Sequence, residues 1–212
     1  MPAPPRICAV ILAAGESSRM GRDKALLPWP PDNSTGQTHL SAAIAALKPF
    51  AESVLVVAGA NADRLAPVAA ACGVSLAVNP APERGQFSSL QVGLRAALDR
   101  GSNAAMITPV DCPPLRAASL QALHAAFAPA LQRGQWAVAP VHNGKSGHPL
   151  LAGPELIEAF LRAPVSSNAR QVKRACAGQI ECVPVPDPFL RADMNTPEQY
   201  AATAAQLFSA SH

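Results

Sequence analysis

Ile7-Cys8-Ala9-Val10-Ile11-Leu12-Ala13-Ala14-Gly15-Glu16-Ser17-Ser18-Arg19-Met20-Gly21-Arg22-Asp23-Lys24 runs from an apolar segment straight into a glycine-punctuated, basic loop. The apolar half reads as a strand and the loop after it as a phosphate cradle in prospect. Gly15 and Gly21 remove side chains where the backbone must turn sharply or approach a ligand, so successive peptide N–H groups can point at anionic oxygens. Arg19 and Lys24 add two cations of different character, a planar fork and a point charge. Neither G-x-x-x-x-G-K-[ST] nor G-x-G-x-x-G can be read here. Taken alone, the loop is also compatible with a Gly/Ser-rich surface turn between a strand and a helix.

Beyond this stretch, short apolar runs alternate with alanine-rich helical segments. The pattern predicts strands at Ile7–Ala13, Ser53–Ala58, Val74–Val78, Ala104–Thr108, Trp136–Val141 and Ile180–Val185, with a short extended piece near His148–Leu151. Helices are expected at His39–Leu47, Ala62–Ala71, Ser88–Asp99, Leu115–Phe127, Pro154–Leu161, Asn168–Ala177 and Pro197–Phe208. This β, α, β, α order implies an α/β, Rossmann-like three-layer fold. Its mainly parallel sheet carries helices on both faces, and its ligand crevice lies at the carboxyl ends of the strands.

Composition sets the outer limits. With 212 residues, 49% of them hydrophobic, one α/β domain over 1–212 with one substantial core is expected. A net charge of +3 and 4% aromatic residues argue against a nucleic-acid surface, which clusters Lys/Arg with stacking rings. Five cysteines, an odd number without a C-x-x-C pair, point to reduced thiols rather than a disulfide framework or zinc site. No basic segment followed by an apolar one opens the chain, and no apolar run approaches membrane-spanning length. A soluble, cytoplasmic protein without membrane partners is expected.

Four further segments fall at the expected strand ends or loops. In Asn79-Pro80-Ala81-Pro82-Glu83-Arg84-Gly85-Gln86-Phe87-Ser88-Ser89-Leu90, Gly85 permits an unusual turn and Ser88 or Ser89 can cap the next helix, whose N–H groups attract anions or polar base edges. In Ala105-Met106-Ile107-Thr108-Pro109-Val110-Asp111-Cys112-Pro113-Pro114, a buried strand delivers one carboxylate to its end, suited to Mg²⁺, which takes few protein oxygens and fills its shell with water and phosphate. An Asp before prolines is also a turn former. Arg191-Ala192-Asp193-Met194-Asn195-Thr196-Pro197-Glu198 reads as a helix start with proline at the first helical position. In Asn143-Gly144-Lys145-Ser146-Gly147-His148-Pro149, a histidine between Gly and Pro on a loop is poorly placed for a core, and is either a solvated turn residue or a ligand contact. Arg170, Lys173 and Arg174 recur at helical spacing and read most simply as a solvated helix face, with anion binding as the alternative reading.

The first loop, with Leu-Ala-Ala-Gly, Arg-Met-Gly and a following lysine, resembles the signature of the MobA-like nucleotidyltransferases, above all the MocA-type molybdenum cofactor cytidylyltransferases. The Asn-Pro…Gly…Ser-Ser-Leu, Asp-x-Pro, Gly-His-Pro and late Asp-x-Asn-Thr-Pro-Glu segments resemble that family in the same order, from residue 7 to residue 200. The resemblance implies a nucleotide held by Leu12, Ala13, Ala14, Gly15, Arg19, Gly21 and Lys24, with Asn79, Gly85, Ser88 and Ser89 at base and ribose. It implies Mg²⁺ on Asp111 and Asp193, with Asn195 as an orienting group where many relatives have aspartate. It places Lys145, Gly147 and His148 on the acceptor side. Departures are Cys112, where glutamine is frequent, Asn195, and a polar insertion over Pro30-Pro31-Asp32-Asn33-Ser34-Thr35.

The chemistry so implied is attack by an acceptor phosphate on the α-phosphorus of a nucleoside triphosphate, with Arg19, Lys24 and Asp111 as the catalytic groups. Molybdopterin is the implied acceptor and a molybdenum hydroxylase the implied recipient of the product. Ala14, where guanylyl-transferring relatives have glycine, implies CTP over GTP. Competing accounts are a guanylyl- or sugar-phosphate nucleotidyltransferase of the same fold, a nicotinamide oxidoreductase, and a non-catalytic cofactor carrier. The missing G-x-G-x-x-G counts against the oxidoreductase.

Overall fold

The computed structural model describes residues 4–15, 21–32, 34–164, 166–190, 192 and 194–209. Its central strand, β1 (Ile7–Leu12), is buried along its whole length. Side chains alternate across a strand, so Ile7, Ala9 and Ile11 enter one core cluster and Cys8, Val10 and Leu12 the other. Two apolar faces on one strand require a layer of helices on each side.

Those layers are supplied in chain order. Helices α1 (His39–Leu47), α2 (Ala62–Ala71) and α4 (Ala117–Gln132) cover the first face through residues such as Ile44, Leu65 and Phe127. Helices α3 (Gln86–Asp99), α5 (Pro154–Arg162) and α6 (Ala169–Ala175) cover the second through Leu94, Phe160 and Val172. On α3, Gly93 lets the helix lie against the sheet: a Cβ there would come within 2.7 Å of Val10 and Val57 side-chain carbons.

Strands β2 (Ser53–Ala58), β3 (Ser75–Val78) and β4 (Ala104–Pro109) run parallel to β1, β2 and β3 on one side and β4 on the other. β5 (Ala137–His142) and β8 (Ile180–Pro184) pair in parallel. The reversed elements are β6 (Lys145–Ser146), antiparallel to β5, and β7 (Leu150–Ala152), antiparallel to both β4 and β5. Among the described residues the sheet has eight strands, and this mainly parallel arrangement matches the expected class.

Boundaries differ from the sequence pattern by one to five residues at many element ends. β1 ends at Leu12, although the Ala13 N–H still donates to the Val57 carbonyl at 2.8 Å. The piece expected at His148–Leu151 begins only at Leu150, and a two-residue strand, β6 (Lys145–Ser146), precedes it. α4 starts at Ala117 and runs to Gln132. α3 starts at Gln86, with Gly85 (φ 90°) as its cap, so Ser88 and Ser89 are first-turn residues and not caps.

α7 (Pro197–Ser209) closes the chain against the first layer through Trp29, Ala42, Met194 and Ala204. The Tyr200 hydroxyl donates to the Pro28 carbonyl. His39 lies beneath, 1% exposed, edge-on to Trp29 with ring centroids 4.8 Å apart. Burial pushes its pKa from 6.5 to about 4.

Unfolded His39 therefore binds a proton before folded His39 does, so its contribution lowers stability as pH falls from 6.5 toward about 4 and vanishes above that window. One such site gives a slope of about 1.4 kcal/mol per pH unit. Denaturant titrations of the His39→Leu variant across that window are expected to show a shallower loss of stability on acidification. Equal slopes in both proteins would assign the acid sensitivity to other groups.

Candidate functional site

The chain leaves β1 toward β2 and β3 on one side and returns to β4 on the other, so the carboxyl ends of β1 and β4 bound a topological switch point, where open α/β sheets bind ligands. Leu12 pairs with Pro109, and the Val110 N–H donates to the Leu12 carbonyl at 2.9 Å. A cleft of about 500 Å³ opens there, lined by Leu12, Ala13, Ala14, Gly15 and Lys24 from the first loop and by Asp111 from the β4 exit. Gly21, at φ 62°, has the left-handed backbone that favours glycine. Arg19 and Asp193 lie outside the described residues.

Lys24 is the centre of this cleft. Its Nζ donates to Asn195 Oδ1 at 2.6 Å and sits 3.5 Å from Asp111 Oδ2, with the lysine side chain 14% and the aspartate side chain 27% exposed. The Met194 N–H donates to the Asp111 carbonyl at 3.1 Å, so the segment before α7 is tied to the β4 exit at Asp111 and to the first loop at Lys24. A residue 171 positions away in sequence thus orients the lysine.

Two buried residues that sequence reasoning missed support the cluster. Asp23 accepts from the Ala25 N–H at 3.1 Å and so caps the short 3-10 turn, Lys24–Leu26, that carries Lys24. Asn61 donates through Nδ2 to Asp23 Oδ2 at 2.8 Å and to the Ala13 carbonyl at 2.9 Å, while its Oδ1 accepts from the Gly59 N–H at 3.0 Å. At 7% and 5% exposure these polar groups are satisfied within the protein, as buried polar groups must be. The sequence signals were Asp23 preceding a helical turn and the Gly59-Ala60-Asn61 break after β2.

Gly85 and Ser89 line the cleft opposite the first loop. Asn79 and Ser88 do not line it. Asn79 Nδ2 donates to the hydroxyls of Ser88 and Ser89, both at 2.9 Å, its Oδ1 accepts from the Ala81 N–H at 3.0 Å, and Ser88 donates back to the Gly85 carbonyl at 2.8 Å. These two residues hold the shape of the wall from behind.

The acceptor-side residues sit on an interrupted hairpin. Asn143 (φ 48°) and Gly144 (φ 72°) make the tight turn that joins β5 to β6. Between the pairs Val141–Ser146 and Val138–Leu151, β5 has two residues where the returning arm has four, so the arm bulges at Gly147-His148-Pro149. Gly147 is needed for packing, since a Cβ there would run into Leu190. His148 and Lys145 line a second cleft, of about 900 Å³, that shares Gln86 and Asp111 with the first. Burial, then the charge of Lys173, lowers the His148 pKa to about 4, which keeps the ring neutral at physiological pH. Arg170, Lys173 and Arg174 also line this cleft; Arg170 and Arg174 are exposed, and the face they share is both solvated and turned to the cleft.

Among the described residues no three His, Cys, Asp or Glu side chains gather as a ligand set. Asp111 nevertheless offers a hard, partly exposed oxygen, with Asn195 Oδ1 on the same Lys24 ammonium, and one carboxylate with an amide oxygen near it fits Mg²⁺ when phosphate and water complete the shell. No disulfide joins the five cysteines, and among the described residues no helix is long and apolar enough to cross a membrane.

A glycine loop and a lysine facing a carboxylate across the switch point of a mainly parallel sheet define an α/β nucleotidyltransferase. Comparison with known proteins narrows the class: the chain belongs to the family described as MobA-like NTP transferase domain, whose model matches residues 9–181. It is 36% identical over 121 residues to a probable molybdenum cofactor guanylyltransferase of Rhodopirellula baltica, covering 57% of this chain and 56% of that protein, little more than half of its length. It is 26% identical over 195 residues to the molybdenum cofactor cytidylyltransferase of Escherichia coli K12, covering 92% and 93%. The fold is shared with the crystal structure of Rv0371c from Mycobacterium tuberculosis H37Rv, with TM-score 0.76, 21% identity and coverage of 94% and 98%.

Proposed function

We propose that the chain transfers a nucleotidyl group, CMP from CTP by preference, to the phosphate of molybdopterin and releases pyrophosphate. The observation that carries this reading is the Lys24–Asp111–Asn195 cluster, set where the two clefts meet. A triphosphate in the first cleft and an anionic acceptor in the second bring the reacting atoms together at Asp111. An acceptor phosphate oxygen bonds to the α-phosphorus as the bond from that phosphorus to the bridging oxygen breaks. The electron pair leaves on pyrophosphate, and no side chain forms a covalent bond.

Catalysis of this kind is positioning plus charge neutralisation. Lys24 faces the charge that grows on the leaving pyrophosphate, and Arg19 is proposed to share that role. Mg²⁺ held by Asp111, with Asp193 as the proposed second ligand, supplies Lewis-acid neutralisation of the phosphates when bound. Asn195 keeps the Lys24 ammonium aimed at the cleft, while Lys145, Gly147 and His148 shape the acceptor side. A molybdenum hydroxylase is the proposed recipient of the product, in the cytoplasm. The deciding experiment is pyrophosphate release with CTP and molybdopterin. A cofactor carrier gives none, and a nicotinamide oxidoreductase gives hydride transfer instead.

Ala14 supports cytidylyl transfer. Ala14 lines the first cleft, and its methyl lies beside Gly59, where an added Cβ would sit 3.3 Å from it and 3.0 Å from Pro82. Competition at equal CTP and GTP is expected to favour CTP by about tenfold or more, the scale of one or two methyl-sized contacts, and Ala14→Gly to narrow that ratio. A wild-type preference for GTP would overturn the cytidylyl reading and leave nucleotidyl transfer standing. Guanylyl transfer is the second reading, favoured by the 36% identity to a probable guanylyltransferase.

A further inference from the structure

Arg170, Lys173 and Arg174 stand at i, i+3 and i+4 on α6 and so share one side of the helix. Val172 and Cys176 lie on the other side, buried in the second core layer. The helix is therefore anchored by its inner face and turns its cations toward the 900 Å³ cleft, which all three line. Its start is fixed too, because Asn168 Oδ1 accepts from the Gln171 N–H at 2.9 Å.

The charge balance of the two clefts is opposite. Among the described residues that line it, the first cleft has Lys24 against Asp23, Glu83 and Asp111. The second has Lys145, Arg170, Lys173 and Arg174 against Asp111 alone. Among the described residues no carboxylate lies within ion-pair distance of any of the α6 cations. Lys173 is half-buried, and burial first and the Arg170 charge second pull its pKa down, a cost to the ammonium that a bound anion offsets.

We propose that the basic face of α6, Arg170, Lys173 and Arg174 together with Lys145, holds the phosphate monoester of the acceptor and brings that dianion up to Asp111. The inference rests on the nucleotidyl-transfer reading. In that reaction the attacking oxygen belongs to one anion approaching another, and the approach is repulsive unless the acceptor has cations of its own. The α6 residues do not line the first cleft, although Arg170 and Lys173 also line a third, of about 580 Å³, that shares Leu12, Gly85 and Gln86 with it; of these three clefts, Arg174 and Lys145 line the second alone. An acceptor offering only a hydroxyl would leave all four cations unused.

The test is the triple variant Arg170→Gln, Lys173→Gln, Arg174→Gln, which leaves Val172 and Cys176 in place. Its molybdopterin KM is expected to rise about tenfold or more, the scale of losing several charge-assisted contacts, with the CTP KM within about twofold. Lys173→Arg alone is expected to stay close to wild type. An unchanged acceptor KM, or a rise in the CTP KM instead, overturns the assignment. If wild type releases no pyrophosphate, the nucleotidyl-transfer reading fails, and inorganic phosphate titrated into both proteins judges the clamp separately. Phosphate bound by wild type and lost in the triple variant supports it, and equal binding by both, or none by either, overturns it.

Discussion

Asp111→Asn is expected to lower turnover by about a hundredfold or more while leaving the fold intact, the scale found when one transition-state electrostatic contact is removed. Asparagine keeps the shape of the side chain and removes its charge. Half of what Asp111 does for the structure is done by its backbone, whose carbonyl accepts from the Met194 N–H at 3.1 Å whatever the side chain is. The side chain is 27% exposed, so the new amide can meet water and is not left as a buried unpaired group. Turnover should also lose its dependence on added Mg²⁺, because an amide oxygen is a weak ligand beside a carboxylate. A variant with wild-type turnover and an unaltered magnesium titration would remove Asp111 from the mechanism.

The fold was legible because its signals are local. β1 and β4 are continuous apolar runs, the helices between them carry alanine and leucine at helical spacing, and the order of elements then leaves few topologies. Helix starts were less legible where the cap comes from far away: α4 opens with no cap on its own first residue, and Asp187 Oδ2 accepts from the Arg116 N–H at 3.0 Å from the far end of the chain. The hairpin bulge that delivers His148 was missed for a similar reason, since it exists only in the register between two strands.

At the site, the cradle loop and Asp111 were readable as residue types at strand ends. What surrounds them was not. Asn61 matters because it touches Ala13, Gly59 and Asp23 at once, a relation with no linear spacing. Asn79 and Ser88 show the converse: a strand end marks them as polar residues near a cleft, and only the fold shows that they bond to one another and to the wall's backbone. The cations of α6 were read as solvated because helical spacing reports which residues share a face and says nothing of what that face looks into.

Lys24→Ala is expected to weaken triphosphate binding and to lower turnover by about a hundredfold, because charge on the pyrophosphate grows as the bond breaks and the ammonium meets that charge in a partly enclosed cleft. The effect should fall on the site and not on the scaffold: Asp23, Asn61 and the capped turn keep their bonds when the lysine side chain is cut back. Asp111 and Asn195 then lose their shared partner, which should make turnover more dependent on added Mg²⁺. Lys24→Arg should recover little, because a planar fork cannot occupy the point from which one ammonium reaches Asn195 at 2.6 Å and Asp111 at 3.5 Å. Calorimetry with CTP and a pyrophosphate-release assay read the two parts separately. Unchanged affinity together with unchanged rate in Lys24→Ala would show that the triphosphate does not lie against this loop, and the first cleft would need another ligand.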